Sequence, residues 1–164
     1  MEQLNKIRLD RLNKIADAKE TAKKETATAN EEARVECIKR IKEYCIPKFA
    51  ELLALKRALA RATDTEIRLS VQVADGNEFL YYTGWHGGKS GFAVSKSDTS
   101  TYYYTVTTST YYYTVTEDGE LWKNCSYHKQ FPMRIDEMPY WLAVQFVDGF
   151  DKWETALYRK VDAV

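Results

Sequence analysis

The chain has 164 residues, with 24 basic and 24 acidic side chains, 45% apolar residues and three cysteines. That is one domain, or a small domain with an appendage, and it excludes a large enzyme, a collagen-like chain and a wholly disordered one. No stretch offers the roughly 20 uncharged apolar residues a membrane helix needs, and the charged start MEQLNKIRLD lacks the apolar core of a signal peptide, so the expectation is a cytoplasmic protein with no membrane association.

Composition divides the chain near Thr63. Residues 1–63 contain no glycine, one proline and much Ala, Leu, Glu, Lys and Arg; residues 64–164 contain all seven glycines, all four tryptophans and most of the β-branched and aromatic residues. The first part holds 15 Lys and Arg against 10 Asp and Glu, the second 9 against 14, so the two carry +5 and −5. A helical stem over 1–63 followed by an α+β head over 64–164 is the reading.

Leu4, Ile7 or Arg8, Leu12, Ile15, Ala18 and Ala22 recur at steps of three and four, and Ala33, Cys37, Ile41, Tyr44 and Cys45 resume the stripe. The periodicity predicts one helix from about Glu2 to Tyr44, roughly 65 Å long. Thr28 with Glu31 three residues on resembles a capping box, so a break near Asn30 stays open. Pro47 lacks an amide donor and should kink or restart the helix. In PKFAELLALKRALARA the apolar Phe49, Leu52, Leu53 and Leu59 predict the segment that docks on the head. A stripe this long outreaches a head about 30 Å across, so a second copy is expected to cover it, as a coiled-coil stem; a hairpin folded at Asn30 is the alternative.

In EIRLSVQVA, Ile67, Leu69, Val71 and Val73 alternate with polar residues, as in a half-buried strand. Asp75, Gly76 and Asn77 then turn the chain into EFLYYT, a hairpin. GFAVS is expected as a short strand, SKSDTS as a turn, and ELWKNC as a strand after a turn at Asp118 and Gly119. From Met138, the residues Ala143, Phe146, Phe150, Trp153, Leu157 and Val161 describe an amphipathic helix with Gly149 inside it, a position that costs about 1 kcal/mol and favours a kink.

The segment STYYYTVT occurs at Ser100 to Thr107 and again at Ser109 to Thr116. Pairing the copies across Thr108 and Ser109 would set Tyr102 against Val115, Tyr104 against Tyr113 and Val106 against Tyr111. Thr-Ser suits a two-residue hairpin turn poorly, which leaves a longer loop or a bulge equally open. From Thr99 to Thr116 there is no charge, so this ribbon should be covered or paired. Rigid tyrosines give large contact area at small entropy cost, which makes Tyr102, Tyr104, Tyr111 and Tyr113 candidate partner-binding residues.

Chemistry is sparse. TGWHGGKS, Thr83 to Ser90, nearly matches a phosphate loop but has Thr83 in place of the first glycine, and it leads into a strand rather than a helix. Trp85, His86 and Lys89 are instead candidate contacts for a partner or an anion. His86 and His128 are the only imidazoles, no nucleophile signature lies beside them, and no Cys or His cluster has metal-ligand spacing. Cys37 and Cys45, about 12 Å apart on a helix, cannot form a disulfide. No catalytic residue, metal or cofactor is expected.

The terminal segment FDKWETALYRKVDAV, Phe150 to Val164, behind a β-rich middle and a charged helical N-terminus, resembles a group of small uncharacterised proteins borne by phages and prophages. The tyrosine duplication departs from that pattern. The resemblance implies a non-enzymatic protein that inhibits or modulates a host protein, defence systems included, in the host cytosol. The residues and the resemblance together point to a protein-interaction module that binds itself through the stem and a host partner through the head. Binding of nucleic acid or a phosphate ligand, through the basic half and Lys89, is the alternative.

Overall fold

The computed structural model describes residues 1–65, 67, 70–85, 88–125 and 130–164, with Trp85 described by its backbone alone. Helix α1 spans Glu2–Arg40 and α2 spans Ile46–Thr63; a six-stranded sheet and helix α3, Tyr140–Asp162, complete the α+β fold. The chain forms two compact units, Met1–Ala33 and Arg34–Val164. Composition changes at Thr63, but residues 34–63 pack with the head, so the compact units divide thirty residues earlier.

In the first unit α1 is unbroken. The capping-box reading of Thr28 fails because its hydroxyl donates to the Lys24 carbonyl one turn back at 3.0 Å, as Thr26 does to Ala22. Satisfied inside the helix, these hydroxyls offer the backbone no exit. The helix does not end at Tyr44 either. A single π turn, Ile41–Cys45, joins α1 to α2, with the Ile46 amide bonding to the Ile41 carbonyl. Pro47 explains it: its ring would crowd the carbonyl four residues back, and a widened turn makes room without breaking the rod.

In the second unit the sheet is an antiparallel meander in the order β1 to β6, with β1 Ser70–Gln72, β2 Glu78–Trp85, β3 Lys89–Tyr102, β4 Thr105–Thr116, β5 Leu121–Cys125 and β6 Gln130–Met133. Of the EIRLSVQVA segment, Ser70–Gln72 form β1 and Ile67 and Val73 are buried, while Glu66, Arg68 and Leu69 lie outside the described residues. The β1–β2 turn is as expected, with Asp75 and Gly76 both at positive φ and the Asn77 amide bonded to the Ala74 carbonyl. Strand β6 escapes the alternation rule: it has four residues, and Pro132 is tolerated because this is an edge strand.

Helices α2 and α3 cover one face of the sheet. Phe49, Leu52 and Leu53 of α2 meet Phe146, Phe150 and Trp153 of α3 over Phe79, Phe92 and Val115. Helix α3 runs through Gly149 unbroken, as one helix. The glycine is a packing device: a Cβ there would lie 2.3 Å from the Cβ of Phe79. Ion pairs and polar bonds fasten the rim, including Arg40 to Asp151 at 3.0 Å, Lys42 to Asp136, and the Tyr44 hydroxyl to the Glu154 carboxylate at 2.7 Å.

The largest departure from the sequence reading is the tyrosine ribbon. The SKSDTS segment is strand, not turn, and the copies do not pair with each other across Thr108 and Ser109. Strand β3 pairs with β4 from Gly91↔Thr116 to Tyr102↔Thr105, so Val94, not Tyr104, faces Tyr113. The turn is Tyr103-Tyr104, at φ 45° and 64°. Eight identical residues thus adopt two structures: the first copy folds back on itself, while the second lies extended in the sheet. Position decides. The second copy meets β5, from Tyr111↔Cys125 to Val115↔Leu121, and the core. The first lies beyond the end of β5, where among the described residues only the ladder to β3 is available.

Candidate interaction surface

Beyond Lys96↔Tyr111 the β3–β4 hairpin continues as a two-stranded arm whose residues 97–108 are exposed on both faces. Its last five pairs, Asp98↔Ser109 to Tyr102↔Thr105, extend it about 17 Å at 3.4 Å per residue. Among the described residues no apolar face supports it. The side chains on one face are cross-strand hydroxyl pairs, Ser97 with Thr110 at 3.2 Å and Thr99 with Thr108 at 3.4 Å. An isolated two-stranded ribbon of this kind is marginal in water. Left-handed backbone at two tyrosines adds about 1–2 kcal/mol each. The expectation that the ribbon is covered or paired holds: outside the Tyr103-Tyr104 turn the arm is paired within the β3–β4 ladder though exposed, and Tyr111–Thr116 is covered as well.

The candidate residues separate into three places. At the tip, Tyr102, Tyr103 and Tyr104 are largely exposed, with the rings of Tyr102 and Tyr103 4.4 Å apart edge to face, and Val106 beside them is also exposed. At the base, Tyr113 is 8% exposed and packs edge to face on Trp141 at 5.3 Å, so it belongs to the core and is no surface contact. Tyr111, half-buried next to it, lies beneath the Lys123 ammonium at 4.8 Å. At the far end of β3, Lys89 pairs with Asp118 at 2.8 Å and Glu120 at 3.1 Å. Those carboxylates hold the ammonium's pKa above its ordinary value, and Glu120 is held below its own by the same bond. A lysine already facing two carboxylates is a poor anion receptor. Trp85 pairs with Lys89 in the ladder, while His86 and His128 lie outside the described residues.

Lys89 and the tip tyrosines are thus at opposite ends of a 14-residue strand, roughly 40 Å apart, and do not form one site. Sequence reasoning missed Tyr103 and Val106. It placed the turn at the junction of the copies, and no Gly or Asn marks the true one.

The described residues assemble no activated nucleophile. Burial pushes the Cys45 thiol up to about 12, and burial with the neighbouring Glu36 raises Cys37, the reverse of what a reactive thiolate needs. A hollow of about 560 Å³ beside Cys37 is lined by Glu36, Lys39, Arg40, Glu43, Tyr44 and Val147, but Arg40 is engaged with Asp151 and Tyr44 with Glu154. Among the described residues no three His, Cys, Asp or Glu side chains are placed to hold a metal ion, and no helix is long and apolar enough to cross a membrane.

In the first unit, Leu4, Ile7, Leu12 and Ile15 are 49–62% exposed, and every residue from Met1 to Glu32 is exposed. No protein-family model, curated protein or solved structure matches the chain.

Proposed function

We propose that this protein is a non-catalytic interaction module with two binding surfaces, the apolar stripe of α1 and the tyrosine tip of the arm. The observation that carries this reading is the stripe. Leu4, Ile7, Leu12 and Ile15 stand half exposed at helical spacing, where a helix without a partner gains nothing from them. A second copy of the chain is one cover. Covering half of a Leu or Ile side chain contributes about 1 kcal/mol, hence about 8 kcal/mol from four residues on each of two copies. Association costs about 4 kcal/mol at the least. The surplus is at most about 4 kcal/mol, a dissociation constant no tighter than about millimolar, because the alanine-rich middle of α1 adds little. Self-association through the stripe is therefore weak and concentration-dependent.

The tip suits a protein partner: three exposed tyrosines give wide, rigid contact area with hydroxyls for hydrogen bonds. The resemblance of the C-terminal helix and overall layout to phage-borne proteins supports a host protein as that partner, with inhibition or modulation as the effect. Nucleic-acid or phosphate binding receives less support, since Lys89 is paired with two carboxylates.

Sedimentation from micromolar to near-millimolar protein tests the stem. The weight-average mass should rise for the wild type and stay flat for L4D/I7D/L12D/I15D. A wild type that stays monomeric throughout refutes pairing through the stripe. For the head, a host protein retained by the wild type and released by Y102S/Y103S/Y104S is the expected result; equal retention removes the tip from the interface.

A further inference from the structure

With the threonine before each copy included, residues 99–107 and 108–116 are the same nine residues, TSTYYYTVT, in direct tandem. Only the second copy pairs with β5 and enters the core. Its Val115 is fully buried opposite Phe92 and Leu121, and its Tyr113 stands between Val94 and Lys123 in the ladder. The first copy contains the corresponding Val106, 65% exposed, and Tyr104, exposed at the turn. Every side chain that β4 presents to β3, β5 and Trp141 from Tyr111 to Thr116 is therefore available a second time, nine residues upstream.

We propose that residues 99–107 are a spare β4 strand and that the sheet exchanges one copy for the other by a nine-residue slip. In the exchanged state Val106 replaces Val115 against Phe92 and Leu121, Tyr104 replaces Tyr113 against Val94, and Tyr102 replaces Tyr111 beside Lys96. A slip of an odd number of residues would turn a strand's faces over in ordinary sequence. Here it does not, because the sequence repeats with the slip and each site receives the residue type it lost. The arm disappears. Its ten paired residues and two-residue turn become a three-residue turn at Asp98, Thr99 and Ser100, and the four-residue link Glu117–Glu120 lengthens to thirteen residues, Thr108–Glu120. The same arithmetic explains why a nine-residue insertion is tolerated: a three-residue turn plus nine residues makes five further pairs and a two-residue turn, and no pair from Gly91↔Thr116 to Ser97↔Thr110 changes.

The two states are opposed by different features. The arm state keeps five more ladder pairs and the short turn in which Thr116 and Glu120 exchange hydrogen bonds and Lys89 binds Asp118. It also holds two tyrosines in left-handed backbone, which the exchanged state releases. Exchange withdraws the tyrosine tip and frees a different tyrosine segment, Tyr111–Tyr113, in a loop. It is a device for showing or hiding the tip, and it stands whether or not the tip binds a partner.

Single and double aspartate substitutions test it in the full chain. Val106→Asp, at an exposed site, should leave the cooperative unfolding transition unchanged. Val115→Asp places a charge at a fully buried site; with a spare strand it should still unfold cooperatively, at a lower midpoint, and V106D/V115D should show no transition. In V115D, hydrogen exchange should find slow amides at 102–107 and fast ones at 109–116, the reverse of the wild type. If V115D loses its transition as completely as the double variant, the spare strand does not exist. If V115D folds while 109–116 remains protected, the second copy has stayed in place and the exchange is equally refuted.

Discussion

Gly149→Ala puts the packing argument at its sharpest, because two known effects oppose each other there. In a helix interior alanine is favoured over glycine by about 1 kcal/mol. Against that, the new Cβ would lie 2.3 Å from the Cβ, 2.5 Å from the Cγ and 2.7 Å from the Cδ2 of Phe79. Carbon atoms settle at about 3.5–4.0 Å, so at least about 1.2 Å must be opened. Rotating the Phe79 ring does not help, since the nearest atom is its own Cβ, fixed to strand β2. The ring is also enclosed by Phe92 and Phe150, with centroids 5.7 and 6.3 Å away. Helix α3 must therefore lift from the sheet, and the cost belongs at the upper end of the roughly 1–3 kcal/mol range for overpacked cores. The net expectation is a loss of about 2 kcal/mol, read as a lower urea midpoint at unchanged slope and a melting temperature about 8 °C lower. A variant more stable than the wild type by about 1 kcal/mol would show that helix propensity alone governs this position and that the close approach to Phe79 is no constraint.

Two further outcomes are expected. Burial pushes both the Cys45 thiol and the Tyr82 hydroxyl up to about 12, from ordinary values of 9.0 and 10.0. Well below pH 9 both groups are protonated in folded and unfolded chains alike, so they confer no pH dependence; from about pH 9 for Cys45 and about pH 10 for Tyr82, up to about pH 12, the unfolded chain alone loses the proton and stability falls, by up to about 1.4 kcal/mol per pH unit for each group. Urea midpoints measured from neutral to alkaline pH should show that decline, shallower in Cys45→Ala; a flat profile would mean these groups are not shielded from water. At the tip, Y103N/Y104G supplies the residues a two-residue hairpin turn prefers and should stabilise the arm by about 2 kcal/mol, slowing amide exchange at Tyr102 and Thr105 about 30-fold. Unchanged exchange there would place the turn elsewhere.

The sequence by itself determined the elements whose periodicity is set by their own residues. Ala143, Phe146, Phe150, Trp153 and Leu157 occupy one face of any helix they form, and Asp75-Gly76 accepts the positive φ of a tight turn wherever it stands. Pro47 likewise announced a disturbance, though only the assembled helix showed that it takes the form of a widened turn. What the tertiary structure decided is which of two identical segments becomes a buried strand and which becomes a strained turn. Local preference cannot separate Ser100–Thr107 from Ser109–Thr116, since each has the same residues and so the same propensity. The difference of environment does: β5, α3 and the Glu117–Glu120 turn meet one copy and not the other, and the free energy of burying Val115 and Tyr113 is delivered only where those neighbours stand. Gly149 follows the same rule. Within its helix it is merely a weak residue, and its purpose exists only once Phe79, seventy positions earlier, is brought against it.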